Sequence, residues 1–284
     1  MPRHRDEVFI FGRVHASSVF PIKDQNPREH TPYITWSLIG VNVAMFVWSL
    51  SDFEPILYRW GFTPALLLPS TLLTSMFLHG GILHLFGNMW YLFLFGDNVE
   101  DRVGRGLYLP FYLAAGLAAS FAHYLSNPAS VLPAIGASGA ISGVLGAYLV
   151  FFPKVKVLVW VRFFIFPMPA WIVIGFWFAL QLLFATVSLL GVASGVAFWA
   201  HVGGFLFGVS AALVHRRFHR RLERSVLGFP SSTRPPIHRW GTSPPNSPRR
   251  RLVETRSIRG SSSAKPSPLL GGTPPSAREL AVAH

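Results

Sequence analysis

Long apolar runs almost free of charge constrain this chain more than any other feature. One of them opens Gly136-Ala-Ser-Gly-Ala-Ile-Ser-Gly-Val-Leu-Gly146 and meets no charged residue until Lys154. A run of that kind reads as the start of a membrane-spanning helix, since a helix satisfies its own backbone in hydrocarbon. At the helical period, Gly139, Gly143 and Gly146 fall on one narrow stripe, about a quarter turn from Ser138. Small residues in a stripe let a second helix approach backbone to backbone. Ser138 and Ser142 then either bond to the preceding turn or do chemistry.

Five further runs suggest an all-α, polytopic membrane bundle of six transmembrane helices. The expected spans are 34–50, 77–96, 107–125, 137–152, 170–190 and 196–214. The connections 51–75 and 153–169 are rich in Pro and aromatics and are expected to lie at the membrane interface. The domain plan is therefore a polar N-terminal segment over 1–32, a six-span domain over 33–215 and a tail over 216–284. The composition agrees: 51% of residues are hydrophobic, 13% are charged and mean hydropathy is +0.40.

A net charge of +13 would suit a nucleic-acid binder if it were spread over a folded surface. From Arg216 onward, however, fourteen Lys and Arg face three Asp and Glu, so +11 of the +13 lies in the tail. That tail, rich in Arg, Pro and Ser, is expected to be disordered, and no nucleic-acid partner is implied. Lys and Arg in the connections alternate from rich to poor across the six spans, which predicts both termini on the cytoplasmic side. No early apolar stretch precedes a small-residue cleavage site, and no organelle address is evident. The expected location is a prokaryotic plasma membrane.

Polar groups inside spans are costly, so each asks for a reason. This orientation brings Ser138, His84 and His201 to similar depth near one membrane face. His201 is followed by Gly203, Gly204 and Gly208, a second small-residue seam. Two such seams meeting would bring the Ser138 hydroxyl to the His201 imidazole, a base that a weak serine nucleophile needs. His84 and Asn88, four residues apart, share a helix face and supply N–H donors suited to an oxyanion, with the Ser138 amide as a third. The span interiors hold no Asp or Glu, which leaves a paired-carboxylate mechanism without candidates and disfavours ion-coupled transport. His79 to His84 lacks the zinc-protease spacing, the chain has no Cys, and no metal or organic cofactor is implied.

In combination these motifs resemble the rhomboid intramembrane serine proteases. The resemblance rests on Gly136-Ala-Ser138-Gly139 with Gly143, Ala200-His201-Val-Gly203-Gly204 with Gly208, His84-x-x-x-Asn88, and Phe95-Gly-Asp97-Asn98-Val-Glu-Asp. It covers about residues 20–215. It implies Ser138 as nucleophile, His201 as general base, and His84 and Asn88 lining the oxyanion hole. It further implies peptide-bond hydrolysis in or near transmembrane segments of membrane-protein substrates within the lipid bilayer, at sites with helix-weakening Gly, Ala, Ser or Pro. Two departures stand out: Ser142 replaces an aromatic residue that some relatives place one turn after the nucleophile, and Arg59-Trp60 reverses a common Trp-Arg pair. A catalytically inactive, client-binding relative is the alternative, disfavoured because both Ser138 and His201 are present. A channel or transporter is disfavoured by the missing intramembrane carboxylates.

Overall fold

The structure, a computed structural model, describes residues 20–190 and 195–227, with side chains up to residue 221. Residues 1–19 and 228–284, and so most of the expected disordered tail, lie outside the described residues. In chain order the elements are strand β1 (Phe20–Asp24), α1 (Tyr33–Ser49), α2 (Phe53–Trp60) and the short α3 (Thr71–Thr74). Then come α4 (Ile82–Val103), α5 (Arg105–Ser126), α6 (Ser138–Phe151), strands β2 (Lys156–Val161) and β3 (Phe164–Pro169), α7 (Ala170–Ser188) and α8 (Phe198–Leu227).

Helix α6 is the hub. Every residue from Gly139 to Tyr148 is buried, beneath α4, α5 and α8. Its glycines set the packing. A Cβ added at Gly204 would overlap the Gly139 carbonyl, one at Gly208 the Gly143 carbonyl, and one at Gly146 the Phe205 carbonyl. Helices α6 and α8 therefore run parallel with their backbones in contact, as the two seams predict. On another side Ala119 and Ala115 of α5 fill the space over Gly139 and Gly143, and Ala122 of α5 lies over Gly203. Only alanines and glycines allow three helices to converge so closely.

The far end of these helices is polar and holds the N-terminal part of the chain. Helix α1 begins after Pro32 with no capping side chain of its own. Glu100 of α4 caps it instead, accepting from the N–H groups of Ile34 at 3.1 Å and Thr35 at 2.8 Å and from the Thr35 hydroxyl at 2.8 Å. A carboxylate suits the positive end of a helix, and these donors explain how Glu100 is tolerated while only 2% exposed. Asp101 accepts from Glu29 N–H at 2.7 Å and His30 N–H at 3.2 Å. The connection between the expected spans 77–96 and 107–125 is thus mostly helix, with Asp97–Val103 forming the last two turns of α4.

One expectation is corrected. The chain is not all-α: β1, β2 and β3 form an antiparallel sheet in that order, built on part of the 153–169 connection and on residues 20–24. Its signal is a two-residue alternation in Lys-Val-Leu-Val-Trp-Val, which buries Val157 and Val159 completely and leaves Trp160 51% exposed. Pro167 and Pro169 are accommodated because β3 is an edge strand. Asp24 fastens this sheet to the bundle, its Oδ2 accepting from Asn98 Nδ2 at 2.7 Å and from the Tyr148 hydroxyl at 2.8 Å.

Six independent crossings are also more than length and composition establish. Among the described residues, Ala170–Ser188 and Phe198–Arg221 are long and apolar enough to cross a membrane. Helices α1 and α6 are apolar but shorter, at 17 and 14 residues. At 1.5 Å per residue α6 extends only about 21 Å against a hydrocarbon core of about 30 Å. The physical reason is burial: a helix enclosed by others has no need to match the bilayer. Helix α4 has the length, but its last turns carry Asp97, Glu100, Asp101 and Arg102. Helix α8, in turn, continues past residue 215 to Leu227.

Two outcomes follow from this packing. Gly204→Ala should lower the detergent melting temperature sharply, by the equivalent of about 1–3 kcal/mol for an overpacked core. Gly40→Ala, where a Cβ meets nothing within 4 Å, should be neutral or mildly stabilising by up to about 1 kcal/mol. At the sheet, burial raises the Asp24 carboxyl from 3.8 to about 7. Its folded value lies above its unfolded one, so its contribution is complete below about pH 4 and is lost as pH rises through about 7. Melting temperatures measured across that window should fall with rising pH in the unmutated protein and vary less in Asp24→Asn.

Candidate active site

Ser138 is the first residue of α6, and His201 lies in the first turn of α8. The α6–α8 seam brings them together: His201 Nε2 lies 2.8 Å from Ser138 Oγ. On its other side His201 Nδ1 lies 2.8 Å from Gln181 Oε1 of α7. Trp177, one turn before Gln181, sets its ring 6.1 Å from the imidazole, and Phe198 meets it edge-on at 6.3 Å. Ser142 Oγ donates to the Ser138 carbonyl at 2.6 Å, so the position where some relatives carry an aromatic is here a backbone-bonded serine. The aromatic contacts to His201 come from α7 and α8 instead.

Gly136 seats His84 beside the serine. Its φ of +123° suits glycine, and a Cβ there would stand 2.8 Å from both Cε1 and Nε2 of His84. Gly80 N–H points at His84 Nδ1 at 3.4 Å, which leaves Nε2 as the protonated nitrogen on the Gly136 side. Ser138 stands at a helix N-terminus, where the first intrahelical bond is Ile141 N–H to the Ala137 carbonyl. Its own N–H therefore has no helical acceptor. Asn88 lies one turn beyond His84 and is buried, with Nδ2 donating to the His84 carbonyl at 3.0 Å. One of its two amide protons is thus engaged within the helix, and the second remains. The structure gathers Ser138, His201 and His84 around one point, with Asn88 a turn deeper.

Loops hold this end in place. Phe62 and Ala134 exchange backbone hydrogen bonds at 3.0 and 2.8 Å, and Gly136 N–H donates to the Ser75 carbonyl at 2.9 Å. The segment after α2 thus clamps the strand-like approach to Ser138. The reversed Arg59-Trp60 pair is a local stack, the guanidinium 5.5 Å from the ring centroid. A cavity of about 660 Å³ adjoins the site, lined in part by His84, His123, Ser126, Asn127 and Ser130. A second, of about 40 Å³, reaches Ser138 itself between Met76, Gly116 and Ala119.

Gln181, Trp177 and Met76 are the residues here that sequence reasoning missed. None of the three is ionisable; the signal for Gln181 is a lone carboxamide in the apolar run Trp-Ile-Val-Ile-Gly-Phe-Trp-Phe-Ala-Leu-Gln-Leu-Leu-Phe.

The model of the Rhomboid domain matches residues 69–218, and the chain belongs to the rhomboid family. It is 30% identical over 221 residues to Rhomboid protein 1, mitochondrial, of Saccharomyces cerevisiae, covering 71% of this chain and 60% of that protein. It is 30% identical over 182 residues to the human Presenilin-associated rhomboid-like protein, mitochondrial, covering 61% and 45%. Rhomboid protease GluP of Bacillus subtilis is 47% identical over 78 residues, 28% of this chain and 15% of that protein. The chain thus spans about half the length of the mitochondrial relatives it matches.

These relatives overturn one expectation. The two that match most of the chain are mitochondrial proteins, which points to a mitochondrial membrane and not to a prokaryotic plasma membrane. Arg3, Arg5 and Arg13 serve a positive-inside segment and an Arg-rich organelle address equally well, so their charge does not separate the two locations.

Proposed function

We propose that this chain is an intramembrane serine endopeptidase working through a Ser138–His201 dyad in a bundle that crosses the membrane six times. The observation that carries the reading is the 2.8 Å hydrogen bond between Ser138 Oγ and His201 Nε2 beside a cavity. Rhomboid membership and the likeness to a bacterial rhomboid protease support it. Substrates are membrane proteins with a transmembrane helix, entered from the bilayer. No cofactor takes part.

In this reading His201 Nε2 takes the Ser138 hydroxyl proton as Oγ attacks the scissile carbonyl carbon. The electron pair moves onto the carbonyl oxygen, which the Ser138 N–H, His84 Nε2–H and the remaining Asn88 amide proton stabilise. Collapse breaks the C–N bond, and the leaving amine takes the proton from His201. Water then repeats the sequence on the acyl-enzyme. The scissile segment is extended, because helical carbonyls are already hydrogen-bonded.

The small cavity at Ser138 sets the side-chain preference. In this reading the narrow space between Met76, Gly116 and Ala119 receives the substrate side chain beside the scissile bond and favours Ala, Gly or Ser over larger ones. Met76 is 3% exposed, so shortening it enlarges that space.

Two measurements test this. A fluorophosphonate probe should label the unmutated protein in detergent and fail to label Ser138→Ala and His201→Ala, each folded by melting temperature. A well-folded unmutated protein that stays unlabelled while its cavity admits the probe would remove the dyad reading. Met76→Ala should raise cleavage of a substrate with Leu at the scissile position relative to Ala by about tenfold, as one or two buried methylenes allow. That ratio is independent of the fraction folded, and an unchanged ratio would place the small cavity outside substrate binding.

A further inference from the structure

We infer that Gln181 is the positioning residue of this site: its carboxamide oxygen accepts the Nδ1–H of His201, fixes the ring tautomer and leaves Nε2 bare toward Ser138. The inference rests on the Ser138–His201 reading and assigns the third group that the dyad lacks.

Three observations converge. The imidazole is bracketed, with Ser138 Oγ and Gln181 Oε1 each 2.8 Å from opposite ring nitrogens. A neutral imidazole has one donor and one acceptor, so an acceptor at Nδ1 makes Nε2 the acceptor for the serine proton. The opposite tautomer would put a proton between Nε2 and Ser138 and abolish base function. Second, Gln181 stands alone as a carboxamide on an otherwise apolar stretch of α7, from Trp171 to Ala185. A polar group on such a helix is costly unless it is bonded, and its oxygen is bonded to His201. Third, Trp177 sits one turn before Gln181 on the same face and also contacts the imidazole. Helix α7 thus supplies both a hydrogen bond and a ring contact to the base. Position 142, available to an aromatic in some relatives, is occupied by a serine bonded to the Ser138 carbonyl.

The test uses the full chain in detergent, with Gln181→Leu, Gln181→Asn and Gln181→Glu beside Ser138→Ala. Gln181→Leu should lower kcat and the fluorophosphonate labelling rate about tenfold, the worth of one hydrogen bond, with KM unchanged. Gln181→Asn, one methylene short, should behave like Leu. Gln181→Glu keeps an acceptor and should restore the rate. Its carboxylate also favours the imidazolium, so the acidic limb of its pH–rate profile should move to higher pH. Nitrogen-15 spectra of the His201 ring should show Nδ1 protonated in the unmutated protein and a mixture of tautomers in Gln181→Leu.

A ring already protonated at Nε2 in the unmutated protein would overturn the assignment. So would Gln181→Leu labelling at the unmutated rate, or Gln181→Glu failing as Leu does with no shift of the acidic limb. In these cases Ser138-dependent labelling of the unmutated protein persists and the dyad stands. Loss of that labelling in the unmutated protein would remove the dyad and this inference together.

Discussion

Backbone contact between α6 and α8 is the constraint on which the rest of this structure depends. Lipid tails are as apolar as leucine, so two helices in a bilayer gain little by burying large side chains against each other. What remains is close packing, and it is closest where no Cβ intervenes. Gly204 rests on the Gly139 carbonyl and Gly208 on that of Gly143. Ser138 immediately precedes the first of these contacts, and His201 stands one helical turn before Gly204. The Ser138–His201 pair is therefore held by the tightest part of the bundle. A shift of one helix against the other would change the Ser138–His201 distance directly, and the alanines of α5 block that shift from a third side.

The same helices carry a second polar region at their other end, with a different purpose. Helix α4 begins near His84 and ends near Glu100, about 24 Å apart at 1.5 Å per residue. Helix α6 likewise runs from Ser138 to Tyr148. At the far end the carboxylates are fully engaged in structure: Glu100 caps α1, Asp101 holds the segment before it, and Asp24 joins the sheet to α4 and α6. That engagement explains why acidic residues absent from the span interiors crowd the 97–101 stretch. They fasten the chain's N-terminal segment without placing a charge near the dyad.

Much of this was legible in the sequence because it rests on short-range rules. Glycines three and four apart share a helix face wherever they occur, so the two seams and their meeting could be read directly. The pairing of Ser138 with His201 followed, as did the shared face of His84 and Asn88. What escaped was tertiary. The β2–β3 hairpin has the alternating pattern of a strand, but its aromatics and prolines equally suit an interfacial loop. Its pairing with β1 joins residues more than 130 apart. The length of α6 depends on enclosure by α4, α5 and α8, which no local pattern reports. Gln181 carries no charge to mark it within an apolar run, and α7 meets His201 of α8 only in the folded bundle.

The choice of a carboxamide at that position has its own logic. Soluble serine hydrolases can place a carboxylate behind the histidine, since water and surrounding donors share the burden of its charge. Behind His201 the surroundings are the apolar faces of α7 and α8, where a carboxylate would stay ionised only by favouring a proton on the imidazole. For His201 in its proposed role as base, glutamine supplies the one property needed at rest, an acceptor for Nδ1–H, without importing charge into the bundle. In the proposed mechanism the cost falls on the imidazolium formed as Ser138 attacks, which a neutral amide stabilises less than a carboxylate would. In that mechanism stabilisation depends more heavily on the proposed oxyanion side, on the amide of Ser138 and on His84, which Gly136 seats.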